Sequence, residues 1–267
     1  MPTRLPRTTG PSPAAPAGRP APAHPDRRPD GPRPPTPAPS AGTPLALVRA
    51  TTDVLPLLDA VRLAPHERDR AARLPAGERR EDYLAAHVLV RLCAARLLGV
   101  DPAALMLGQL CGECGGRDHG RPFLRDRPGV GVSLSHARGA VAAAAAPGPV
   151  GVDVENAADA VFSPRLAARV LAPAELAAVR AGPDPARGLL RLWVRKEALV
   201  KVGAATLGGL HRTDLVASGS PAGWRFADWS SPDGRLIAAA VAHTVPAVDG
   251  GSDLGSSRST PTGEQHA

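Results

Sequence analysis

The chain has 267 residues, with 32 Lys plus Arg against 25 Asp plus Glu, for a formal charge of +7. Three cysteines are too few for a disulfide framework, and no apolar run approaches the ~20 residues a membrane span needs. The basic balance suggests an anionic partner, but an aromatic content of 3% argues against the stacking platforms of single-strand nucleic-acid binders.

Residues 1–44 hold 15 of the 31 prolines with six Arg and two Asp, a composition that buries little apolar surface. They are expected to be a disordered Pro/Arg-rich extension, and residues 246–267, rich in Ser, Gly and Thr, a disordered tail. The N-terminus lacks the apolar stretch of a signal peptide, so the expected compartment is the cytoplasm. The folded part then splits into an N-terminal half, 45–148, and a C-terminal half, 149–245.

Leu45 to Arg49 reads as a first strand. Leu84, Val88, Leu92 and Ala95 repeat at helical spacing, Gly99 stops that helix, and Asp101-Pro102 starts a new element. Residues 105–110 and 130–134 read as short strands. AVAAAAA, residues 140–146, is ambiguous, because alanine favours helix while the run is short and bounded by Gly and Pro. VGVDVE, 150–155, alternates cleanly, with Val150, Val152 and Val154 on one face and Gly151, Asp153 and Glu155 on the other. Residues 164–170 and 173–180 read as short helices, with Glu175 near a helix start. A longer helix runs from Leu189 to Val202 and is closed by Gly203. Strand-like runs follow at 213–217, 224–227 and 235–242. Mixed helices and short strands point to an α+β fold.

Asp153 and Glu155 lie on one face of a strand, where paired carboxylates suit a hard cation such as Mg²⁺ as well as they suit plain solvent. The run W-V-R-K-E-A-L-V-K, 193–201, contains both lysines of the chain, Lys196 and Lys201; the other 30 basic residues are arginine. On a helix Trp193, Glu197 and Lys201 share one face, and Glu197 with Lys201 also fits an ordinary surface ion pair. Lysine differs from arginine in being a slim point charge able to give up its proton.

VGVDVE followed some 40 residues on by WVRKEALVK resembles the surfactin-type 4′-phosphopantetheinyl transferases. Further matches fall in order: PHERDRAAR at 65–73, Gly120-Arg121-Pro122, and Ser133-Leu134-Ser135-His136, where Ala137 stands in place of a serine. The V-G-A-A-T-L-G-G-L stretch keeps only part of the family's Gly-rich segment, and Glu67 falls where some relatives carry a cation. The resemblance implies a pseudo-dimer of two similar halves, each a small, mainly antiparallel sheet packed on a long helix, with coenzyme A in the cleft. It implies Mg²⁺-dependent transfer of 4′-phosphopantetheine from coenzyme A to a serine of an acyl or peptidyl carrier protein, an acidic partner, by a monomeric holo-carrier synthase. Such enzymes serve polyketide, nonribosomal peptide or fatty acid synthesis. Asp153, Glu155 and Glu197 would be metal ligands, Glu197 and Lys201 catalytic, and Arg68, Arg70, Arg121, Ser135, His136 and Lys196 contacts to coenzyme A. Trp193 would pack under the site.

The residues themselves leave two other readings open, a metal-dependent nuclease and a non-enzymatic basic protein binding nucleic acid. Cys111-x-x-Cys114 followed by His119 begins like a zinc site but lacks a second C-x-x-C, which leaves a Gly-rich turn with free thiols as the plainer alternative. His66 and His87 carry no functional signal in the sequence, and the arginines of 68–80 fit a solvated helix face equally well.

Overall fold

A computed structural model of the chain describes residues 43–158 and 160–251. The elements run β1 (Leu45–Ala50), α1 (Thr51–Val54), α2 (Pro65–Arg73), α3 (Glu78–Leu98), β2 (Leu107–Leu110), β3 (Arg121–Leu124), β4 (Val130–Ala137), β5 (Ala140–Pro147) and β6 (Val150–Asn156). They continue with α4 (Pro164–Val170), α5 (Pro173–Ala181), α6 (Pro185–Val202), α7 (Leu215–Ser218), β7 (Arg225–Ser230), β8 (Leu236–Ala242) and β9 (Ala247–Asp249). Residues 1–42, which hold nearly all of the Pro/Arg-rich extension, lie outside the described residues.

Two sheets stack between two long helices, and the mixed architecture is α+β as expected. The first sheet has the order β2-β3-β4-β5-β1-β9, and the second β6-β8-β7. Apart from the parallel pair β1–β9, the strand pairs are antiparallel. On the outer face of the first sheet, Leu45, Leu47, Val141, Ala143 and Ala145 pack against Val88, Leu89 and Cys93 of α3. The inner face sends Ala46, Val48, Ala140, Ala142 and Ala144 against Val150, Val152, Val154, Ala238 and Ala240 of the second sheet. The outer face of the second sheet packs on α6, where Val241 clusters with Ala198, Leu199 and Val202, and Ile237 and Ala239 with Val194.

This layering decides the ambiguous alanine run. β5 is covered on both faces, by α3 and by the second sheet, and all six alanines of residues 140–146 and Val141 are buried. Methyl-sized side chains let both layers approach, and that packing overrides alanine's weak strand preference. Gly151 does the same for α6. A Cβ there would overlap the Ala198 carbonyl oxygen, so the helix backbone lies directly on β6.

Two expectations are corrected. Residues 213–217 form no strand: the Asp214 side chain accepts from Val216 N and Ala217 N at 3.0 Å each and starts the helical turn α7 instead. The C-terminal tail does not begin at 246. β9 pairs with β1, and Asp249 receives Arg49 at 3.1 Å and Arg96 at 2.6 Å, which ties it to the edge of the first sheet.

A repeated local device sits beneath the long helices. Ala64-Pro65-His66-Glu67 starts α2, and Ala172-Pro173-Ala174-Glu175 starts α5. In each, the glutamate folds back onto the N-cap alanine's N–H, at 2.5 Å in the first and 2.7 Å in the second. Both glutamates are fully buried, and each clamps a buried cation of the neighbouring long helix, Arg91 of α3 or Lys196 of α6. Burial pushes the Glu67 carboxyl up, but hydrogen bonds from His87 and Arg91 outweigh it and hold the pKa at about 2. The resulting stabilisation is complete above the ordinary carboxylate value and is lost as the pH falls through about 2. His87 and Glu67 are thus structural. The A-P-x-E repeat was the signal that could have revealed this.

Candidate active site

Asp153 and Glu155 project from the face of β6 that meets α6, so the helix sets their surroundings. α6 begins at Asp184, whose side chain caps Arg187 N at 3.0 Å, and ends at Gly203, left-handed at φ 80°. Trp193, Glu197 and Lys201 form the stripe facing β6. Trp193 Nε1 donates to Glu155 Oε1 at 2.9 Å. Two turns on, Lys201 Nζ donates to Asp153 Oδ1 and to the Val152 carbonyl, both at 2.8 Å. Glu197 lies between Trp193 and Lys201 on the same helix face, near enough to Asp153 to feel its charge.

From the first sheet, Ser135 Oγ of β4 donates to Asp153 Oδ1 at 2.6 Å, and Ser133 Oγ accepts from Val152 N at 3.1 Å. The alternation of S-L-S places both hydroxyls on the inner face, where Ser133 and Lys201 satisfy the Val152 backbone at the free edge of β6 and Ser135 holds the Asp153 side chain. The sequence reading missed Ser133, although its two-residue spacing from Ser135 was visible.

The electrostatics of this corner are unbalanced. Three acids face one ammonium, a formal excess of two negative charges. Burial, then the neighbouring Asp153, pushes the Glu155 carboxyl above its ordinary range, and the same two causes raise Glu197. Asp153 is 5% exposed, and its Oδ2 is buried without a hydrogen-bond partner. An unpartnered, buried carboxylate oxygen among raised carboxyls fits a divalent cation with oxygen ligands. The three carboxylates do not converge to within 4.8 Å; among the described residues only Cys111, Cys114 and His119 do. Closing around one ion would require side-chain rotation.

The remaining candidates separate. His136 follows Ser135 on β4 and is exposed, and desolvation lowers its pKa. Arg121 of β3 lies exposed with its guanidinium over Gly203, just past Lys201 at the end of α6. Arg68 and Arg70 are exposed on α2. Arg68 bonds the Leu63 carbonyl at 2.5 Å and lines a cavity of about 700 Å³ among α2, α3 and the 55–60 turn, with Val61, Ala72, Leu84 and Met106. No contact joins either arginine to the acidic corner among the described residues.

Lys196 is the correction. Its side chain is fully buried on another face of α6, and Nζ donates to the Val170 carbonyl at 2.8 Å, Glu175 Oε2 at 2.5 Å and the Leu210 carbonyl at 2.9 Å. An ammonium has three hydrogens, and all three are used. It is a structural pin, with neither a path nor a proton for coenzyme A. The two lysines therefore answer two different needs, three convergent buried acceptors at 196 and a slim cation beside Asp153 at 201.

Residues 149–237 match the model of the 4′-phosphopantetheinyl transferase superfamily. This segment is similar to that superfamily. It contains β6, α6 and thus Asp153, Glu155, Glu197 and Lys201, so the resemblance read from the two motifs is borne out at that level. The chain is also similar to a 4′-phosphopantetheinyl transferase of Bacillus subtilis, 25% identical over 141 residues, which are 52% of this chain. The match spans 59% of that protein's length. No helix among the described residues is long and apolar enough to cross a membrane.

Proposed function

We propose that this protein transfers 4′-phosphopantetheine from coenzyme A to a serine hydroxyl of an acyl or peptidyl carrier protein, as the surfactin-type enzymes of the superfamily do. The observation that supports it most is the acidic corner of β6 and α6, with one buried carboxylate oxygen lacking a partner and one lysine beside it, inside the superfamily segment. Similarity to the superfamily also favours transfer over the nuclease and nucleic-acid readings.

In the reaction the serine oxygen attacks the phosphorus that carries pantetheine. A new P–O bond forms, the bond to the bridging oxygen breaks, and adenosine 3′,5′-bisphosphate leaves. Glu197 takes the serine proton, and burial, then Asp153, raise its carboxyl above the ordinary range, which strengthens it as a base. Lys201 has two of its three hydrogens committed, to Val152 and Asp153, and turns the third to the leaving phosphate. Asp153, Glu155 and Glu197 would hold Mg²⁺, which supplies charge neutralisation across the two phosphates. Ser135 fixes Asp153, and Trp193 fixes Glu155. His136, next to Ser135 in the chain, and Arg121, beside Gly203, would hold the coenzyme's phosphates and adenine. Arg68 and Arg70, on α2, would add further cations for the coenzyme's phosphates. The two helix-backed sheets would be the related halves of a monomeric pseudo-dimer working in the cytoplasm, and the positive net charge fits docking of an acidic carrier.

Incubation with coenzyme A, Mg²⁺ and an unmodified carrier protein, read by intact mass, tests the proposal. The expected result is a carrier heavier by one phosphopantetheine group. Unchanged mass across several acyl and peptidyl carriers would reject it.

A further inference from the structure

The loop from 111 to 120, joining β2 to β3, contains a second cluster that the transfer chemistry does not use. Cys111, Cys114 and His119 each bring one ligand atom, all within 4.8 Å of one another. Cys114 Sγ lies 3.2 Å from His119 Nε2, and the other ring nitrogen, Nδ1, is 2.7 Å from Asp118 Oδ1. That carboxylate fixes the tautomer that leaves Nε2 free to face the sulfurs, the arrangement found behind metal-bound histidines. The turn itself is shaped around the sulfurs. Gly115 N donates to the Cys111 carbonyl and Cys111 N to the Gly116 carbonyl, both at 2.9 Å. Gly116 N donates to Cys114 Sγ at 3.4 Å. A Cβ on Gly116 would overlap the His119 ring, and Gly115 is left-handed at φ 70°.

We infer that Cys111, Cys114 and His119 bind a zinc ion that locks the β2–β3 hairpin. Tetrahedral zinc holds sulfur at ~2.3 Å and nitrogen at ~2.0–2.1 Å, so neighbouring ligand atoms stand roughly 3.5–3.8 Å apart. The cluster is already on that scale, and small side-chain shifts complete it. Two thiolates neutralise the ion, and the fourth position, open to solvent, takes a water molecule. The site has a consequence for its neighbour. Gly120 and Arg121 follow His119 directly, and Arg121 sits over the end of α6, so the ion would hold the hairpin that presents Arg121 there. This assignment stands whether or not the chain transfers phosphopantetheine.

The test is metal analysis of the full chain, purified under reducing conditions without chelator. The expected result is one zinc per chain, absent from a Cys111→Ser/Cys114→Ser variant. Cobalt(II) loading should give the charge-transfer and visible bands of a tetrahedral thiolate site. Stripping zinc from the unaltered protein should speed amide exchange in residues 111–124 and leave α6 unchanged. No zinc above background together with no cobalt spectrum would overturn the inference. A metal-free protein two hydrogens lighter, from a Cys111–Cys114 disulfide, would overturn it equally.

Discussion

Asp153→Asn is expected to lower carrier modification by a factor of ~10²–10³ or more, while the fold stays as stable as before. The two halves of that expectation share one cause. Asparagine keeps an oxygen for Ser135 and Lys201, so the link between β4, β6 and α6 survives. It removes the charge whose second oxygen is buried without a partner and which pushes up both Glu155 and Glu197. An unsatisfied buried carboxylate costs stability, and removing one tends to be neutral or stabilising by ~1 kcal/mol. Such a residue persists only where function requires it. Equal melting temperatures with transfer reduced by the stated factor would bear this out; a variant that loses stability and keeps its rate would make Asp153 a structural residue.

Lys196→Ala is expected to do the opposite. It leaves Glu175 buried with no cation, and breaking a buried pair from one side costs about 3–5 kcal/mol. For a domain of this size that is a fall in melting temperature on the order of 10 °C. Rate per folded molecule, measured well below the transition, should stay near the unaltered value, because among the described residues Nζ bonds Val170, Glu175 and Leu210 and none of the acidic corner. Lys196→Arg should also destabilise, since a planar fork does not match three convergent acceptors. A Lys196→Ala protein of normal stability with a raised KM for coenzyme A would restore lysine 196 to the binding site.

These two residues show what the sequence could and could not reveal. Periodicity placed Asp153, Glu155, Glu197 and Lys201 on the faces they occupy, because strand and helix spacing depend only on chain geometry. It could not say which face of α6 met β6 and which met Glu175, so Lys196 was grouped with its neighbour in the motif. The alanine strand β5 was illegible for a similar reason. Its composition answers to two covering layers built from residues distant in the chain. The turn at 213–217 was misread because Val and Leu suggested a strand while the deciding group was the Asp214 side chain as helix cap. β9 was missed because three residues carry no period, and its anchor, Asp249, depends on Arg49 and Arg96 from the other end of the fold. The buried Glu67–Arg91 and Glu175–Lys196 pairs were written twice as A-P-x-E, a pattern that became meaningful only once both glutamates proved buried.

The central claim is that the acids of β6 and α6 share one divalent ion. Crystals grown with coenzyme A and Mn²⁺, the latter an anomalous scatterer in place of Mg²⁺, test it most directly. The account predicts one anomalous peak bonded to Asp153, Glu155 and Glu197 together, with the coenzyme's pyrophosphate on its open side. A peak held by other residues, or coenzyme bound with no ion at that corner, would contradict it.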